Sequence, residues 1–108
     1  MSSSIIQTLW IGGSLSLMEQ LCVASFIKNG HEFHLYTYGE VLNVPNGAVI
    51  KDANEIIPES EIFTYCNGSY AGFADWFRWA LLCKKGNIWV VRLYFLLVFF
   101  IFLDIFNY

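Results

Sequence analysis

A chain of 108 residues with six Lys and Arg against nine Asp and Glu, a formal charge of −3, has room for one small domain and lacks a cationic surface. Nucleic acid is excluded as a partner, because counterion release needs clustered Lys and Arg and the only basic pair is Lys84-Lys85. Hydrophobic residues at 56% and aromatics at 19% are high for a soluble domain, and the excess gathers after Gly86, so the two parts are read separately.

Met1-Ser2-Ser3-Ser4 offers neither a basic leader nor a long apolar stretch, and the first ninety residues are expected in the cytoplasm. Residues 5–10, IIQTLW, form an apolar run that stops at Gly12-Gly13, the length of a buried strand. Ser16 and Glu19 then stand at the spacing of a capping box, Leu17, Leu21, Ala24 and Met18, Cys22, Ser25 recur at helical intervals, and Asn29-Gly30 supplies a stop. These signals predict a helix over 16–28. In HEFHLYTYG, Phe33, Leu35 and Thr37 alternate with His34, Tyr36 and Tyr38, the period of a strand ending at Gly39. Strand, helix, strand in forty residues implies parallel neighbours and an α/β class.

Asn46-Gly47 predicts a turn, Ala48–Lys51 a short strand, and residues 52–57 a helical turn closed by Pro58. Residues 69–84 read as a second helix, with Phe73, Phe77, Ala80 and Leu81 beside Trp76, Trp79 and Cys83. GNIWVV opens another buried strand. No internal repeat and no low-complexity linker divides the chain.

Cys22, Cys66 and Cys83 have no C-x-x-C spacing and are expected to be reduced, buried thiols. His31 and His34, if both lie on one strand, point to opposite faces and cannot share an ion. Gly12-Gly13 sits where a strand meets a helix, yet WIGGSLSL matches neither a dinucleotide fingerprint nor a P-loop and reads first as a turn. Asp75 and Arg78 lie three apart on a strongly apolar helix, where charges must face a cleft or each other. Carboxylate and guanidinium together suit an anionic, hydroxylated ligand.

The segments IIQTLWIGG, FHLYTYG and ADWFRWALLCKKGNIWV, in that order, resemble glycosyltransferases with a DXD-containing sugar-binding region. That group includes capsular-polysaccharide and mannosyltransferase-like enzymes and the glucosylating domains of large clostridial toxins. The most specific block is 74–90, which is similar to the family's small-Asp-x-x-Arg-aromatic-x-x-Leu, lysine-glycine and apolar-strand pattern. The resemblance implies a GT-A fold, Rossmann-like, with residues 1–91 as its N-terminal donor-binding half: a short parallel sheet with flanking helices. It further implies a nucleotide-sugar ligand, with Trp10 against the base, Asp75 accepting from sugar hydroxyls, Arg78 reaching sugar or phosphate, and Trp89 near the donor.

Intact relatives hold Mn²⁺ or Mg²⁺ on Asp-x-Asp, whose acids fall at positions 91 and 93; this chain has Val91 and Leu93, which offer no oxygen. Asn87 stands where the family has a second glycine. The expectation is a donor-binding fragment that needs no cofactor and has lost transfer chemistry.

Residues 92–108, RLYFLLVFFIFLDIFNY, resemble the family no further, and their Phe, Leu, Ile, Tyr and Asn bias fits a truncated or frame-shifted reading of an AT-rich gene. Taken at face value, residues 88–106 are interrupted only by Arg92 and Asp104 and follow Lys84-Lys85, which suits a C-terminal membrane anchor. The uncharged stretch 93–103 equally suits a buried or interfacial segment. The alternative function is thus a small membrane-anchored protein. A nucleotide-binding α/β module of another family is the third reading.

Overall fold

The computed structural model describes residues 5–86 and strand residues 88 and 89. Position 91, position 93 and the apolar tail 92–108 lie outside the described residues. The elements run β1 (Ile5–Trp10), α1 (Leu17–Lys28), β2 (Glu32–Thr37), β3 (Val49–Asp52), two 3₁₀ turns (Ala53–Glu55 and Glu59–Glu61), α2 (Ala71–Lys85) and β4 (Ile88–Trp89). All strand pairs are parallel, in the order β3-β2-β1-β4. The domain is a small α/β unit of Rossmann-like type.

Local chemistry sets the boundaries. The Ser16 backbone N–H donates to Glu19 Oε1 at 3.2 Å, closing the capping box, and Gly30 at φ 88° ends α1 beyond Asn29. Asp52 accepts from the Asn54 backbone N–H at 2.9 Å and so starts the first 3₁₀ turn. α2 begins two residues later than the periodicity indicates, at Ala71, and β3 is displaced by one residue, to Val49–Asp52. The second 3₁₀ turn, which follows Pro58, carries no hydrophobic period and is invisible to a pattern search.

Both faces of the sheet are covered. Ile6, Phe33 and Leu35 pack with Cys22, Val23 and Phe26 of α1, and Val41, Val44 and Ala48 of the β2–β3 connection close over the same cluster. On the opposite face Tyr36 packs with Phe73, Phe77 and Leu81 of α2 and with Ala53 and Ile57, the Tyr36 and Phe77 rings lying 5.7 Å apart. The two-sided cover is visible in β2, where Phe33 and Leu35 turn to the α1 cluster and Tyr36 to the α2 cluster.

The outward face of α1 leaves Leu17, Met18 and Leu21 exposed. Among the described residues no helix is long and apolar enough to cross a membrane.

Gln7, on the α2 face of the central strand, is buried to 1% exposure and donates through Nε2 to the Gly86 carbonyl at 2.6 Å. Gln7→Ala removes that donor and leaves a void, and the expected loss is about 2–3 kcal/mol. Urea unfolding reads it as a lower midpoint at an unchanged slope.

Candidate functional site

Three groups of side chains are candidates, one at the end of β1, one on α2 and one at the ends of β2 and β3. The first is Trp10, the last residue of β1. Its ring packs against the α1-side cluster, and its buried indole N–H has no hydrogen-bond acceptor among the described residues. Gly12, at φ 156°, lies over this ring, and a Cβ built there would come within 3.2 Å of Nε1. The indole and the absence of a side chain at position 12 are therefore one packing unit.

The second group lies on α2, on the other face. Arg78 Nη2 is 3.6 Å from Asp75 Oδ1, with the Asp75 side chain 68% exposed and that of Arg78 28% exposed. The guanidinium carbon sits 5.2 Å from the Trp79 ring centre, a cation–π arrangement. The two charges face each other. Trp76 and Trp79 are both exposed, and Phe63, Tyr65 and Tyr70 extend this aromatic surface ahead of the helix. Trp76 meets Phe73 edge-on at 5.9 Å, so it is anchored to the core through one contact.

Trp10 and the Asp75–Arg78 pair thus belong to opposite faces of the sheet. Trp89 enters only through its backbone, which pairs with Gln7 across β1 and β4.

The third group is a cleft of about 390 Å³ at the carboxyl ends of β2 and β3, lined by residues 37–39 and 50–52 and by Asn54. Asp52 Oδ1 accepts from the Asn54 backbone N–H at 2.9 Å and from Asn54 Nδ2 at 3.0 Å, and Asn54 Oδ1 accepts from the Glu59 N–H at 2.8 Å. The loop leaving β3 is therefore laced to its own strand end. Across the cleft the Tyr38 hydroxyl donates to the Ile57 carbonyl at 2.8 Å. Burial first, then the negative charges of Glu59 and Asp52, push the Tyr38 phenol up to about 12. None of Trp10, Asp75, Arg78 or Trp89 lines this cleft. Its signal in the sequence is faint: the final residues of two adjacent strands followed by an Asp-x-Asn turn, with no motif spacing.

The expectation of buried thiols is corrected at two positions. Cys22 is buried, whereas Cys66 and Cys83 are exposed; none of the three is in a disulfide. Cys66 lies in a tight turn in which the Gly68 N–H donates to the Tyr65 carbonyl at 2.8 Å, and Cys83 sits on the outward side of α2. His31 precedes β2 and packs edge-on to Phe26, while His34 contacts Glu32 within the strand. Among the described residues no three His, Cys, Asp or Glu side chains converge on a metal position.

Compared with known proteins, the chain matches no family model, no curated protein and no solved structure.

Two outcomes follow from these geometries. Because Asp75 is mostly exposed, Arg78→Ala is expected to change unfolding free energy by under about 1 kcal/mol, measured in urea; a larger loss would mean that the guanidinium carries structure.

Tyr38 has its folded-state pKa above the model-peptide value of 10.0, so the folded form holds the phenol proton more tightly than the unfolded chain. That stabilisation is fully present below pH 10 and is lost as pH rises through about 12. Alkaline unfolding of wild type in this window, and a flatter profile in Tyr38→Phe, is the expected pair of results.

Proposed function

We propose that the chain is a nucleotide-sugar-binding domain of glycosyltransferase type, the donor-binding half of a GT-A-like fold, which binds its ligand weakly and without metal. The observation that carries this reading is the strand order. Successive strands run from β1 through β2 to β3 on one side, and β4 returns to the other side of β1. Open parallel sheets bind nucleotides at such a reversal, outside the carboxyl ends of the strands. Trp10 stands at that end of β1, and the resemblance of 74–90 to the DXD-containing family supplies the roles.

In this reading Trp10 lies against the base. Arg78, over the Trp79 ring, offers a planar set of donors to a phosphate or sugar oxygen, and Asp75 accepts from sugar hydroxyls. Trp89 lies near the donor. Asp75 is displaced from its partner when the ligand arrives, a small cost because the pair is solvated.

The metal of intact relatives does not fit the residues present. A hard divalent cation needs several oxygen ligands, and Val91 and Leu93 supply none at the two positions where the family has acids. The divalent cation that would neutralise a departing diphosphate then has no anchor at those two positions, so the reading is one of binding without turnover.

Isothermal calorimetry of the full chain with UDP- and GDP-sugars tests it. Binding should be equal with and without Mn²⁺ and should weaken about tenfold in Asp75→Ala and in Arg78→Ala, the loss expected of one charge-assisted hydrogen bond. Binding insensitive to both substitutions would favour a nucleotide-binding module of another family, and metal-dependent turnover would defeat the assignment of lost chemistry.

A second reading rests on residues 88–106, whose apolar length suits a membrane anchor. Under it the expressed protein resists carbonate extraction from membranes.

A further inference from the structure

The cleft between the ends of β2 and β3 is occupied by none of the residues assigned above, yet its lining has a definite chemistry. Asp52 is held in place by two hydrogen bonds that both fall on Oδ1, from the Asn54 backbone and side chain. The opposite oxygen, Oδ2, keeps its acceptor capacity. Asn54 is itself fixed by the Glu59 N–H on its own Oδ1. The carboxylate is therefore preorganised, and a ligand that meets it does not have to order it.

The remaining polar lining includes the hydroxyls of Thr37 and Tyr38, the latter engaged on the Ile57 carbonyl, while the Lys51 side chain, next to Asp52 on β3, turns to the opposite face of the sheet; Ile50 and the Tyr38 ring contribute the apolar part. An exposed carboxylate repels a phosphate. One carboxylate is also too few oxygens for a divalent cation. The lining wants a neutral group that donates to Asp52 and accepts from Thr37, its register partner on β2, at the same time. Adjacent hydroxyls on a sugar ring do both, with the ring's C–H face against apolar side chains. The volume of about 390 Å³ lies toward the small end of the roughly 300–1,000 Å³ typical of ligand sites.

We propose that this cleft is a subsite for the vicinal diol of a sugar ring, with Asp52 as its acceptor. The diol has two sources, the ribose of a nucleotide or a monosaccharide unit. The subsite stands on its own geometry and requires neither Asp75 nor Arg78.

The test is an amide-resolved NMR titration of the full chain with UDP, with 2′-deoxy-UDP and with methyl glucoside. The supporting results are shifts centred on residues 37–39 and 50–54. A ribose source gives binding of UDP that weakens about tenfold when the 2′-hydroxyl is removed, the loss of one hydrogen bond to a charged group. A monosaccharide source gives saturable shifts with methyl glucoside and none that depend on the 2′-hydroxyl.

Asp52→Asn keeps the oxygen that caps the 3₁₀ turn and replaces only the other one. It should therefore retain the wild-type urea midpoint while weakening binding about tenfold. Unchanged binding in this variant, or titrations that leave residues 37–54 unmoved, overturns the proposal. UDP-sugar binding that depends on Arg78 and bypasses residues 37–54 would refute the subsite while leaving the donor-binding reading intact. Asp52-dependent binding indifferent to Arg78 would do the reverse.

Discussion

The hydrogen bond from Gln7 to Gly86 is the constraint on which the rest of the architecture turns. A primary amide in the middle of the central strand, under a helix of aromatic residues, is unfavourable unless its donor is met, and the Gly86 carbonyl meets it at 2.6 Å. That carbonyl belongs to the residue that ends α2, where φ of 70° turns the chain out of the helix and toward β4. One bond thereby fixes where the helix stops and brings Ile88 and Trp89 into register with Ile6 and Gln7. Lys84 adds a second tie from the same helix end, donating to the Glu55 carbonyl at 2.9 Å. The C-terminal turn of α2 is thus held at both the sheet and the 3₁₀ segment.

With α2 seated, the sheet has two covers of different composition. α1 brings aliphatic residues and one phenylalanine to its face, whereas α2 meets Tyr36 and Tyr38 with Phe73 and Phe77. The aromatic side carries the polar tips, the Tyr38 hydroxyl on Ile57 above all. It therefore links the core directly to the loop that shapes the cleft. Packing on one face and the form of a surface depression on the carboxyl-end side are two ends of the same tyrosine.

Most of this frame was legible in the residues. Ser16 with Glu19, the Asn29-Gly30 stop and the alternation in β2 each state a local preference that packing then confirms. What was not legible depended on neighbours distant in sequence. Helical spacing placed Trp76, Trp79 and Cys83 beside Phe73 and Phe77, but it cannot say that the sheet covers only one of those stripes. The two tryptophans and the thiol lie on the side left open. Asp75 and Arg78 were expected to face a cleft or each other; they face each other across 3.6 Å, as their separation on one helix allows, with Asp75 mostly exposed. The cleft escaped notice because Thr37 and Asp52 become neighbours only through the register of β2 on β3. Position in a parallel sheet is not written in any local spacing.

The strand order also has a bearing on the birth of the molecule. Within this domain β1 is made before α1 and β2, with which it pairs, but its other edge and the Gln7 amide await partners some 79 residues downstream. Throughout translation of the intervening chain, an apolar strand is open along one flank, the condition under which nascent polypeptides pair with the wrong neighbour. The sheet of this domain is complete only once Gly86 and β4 have been made and reach back to β1.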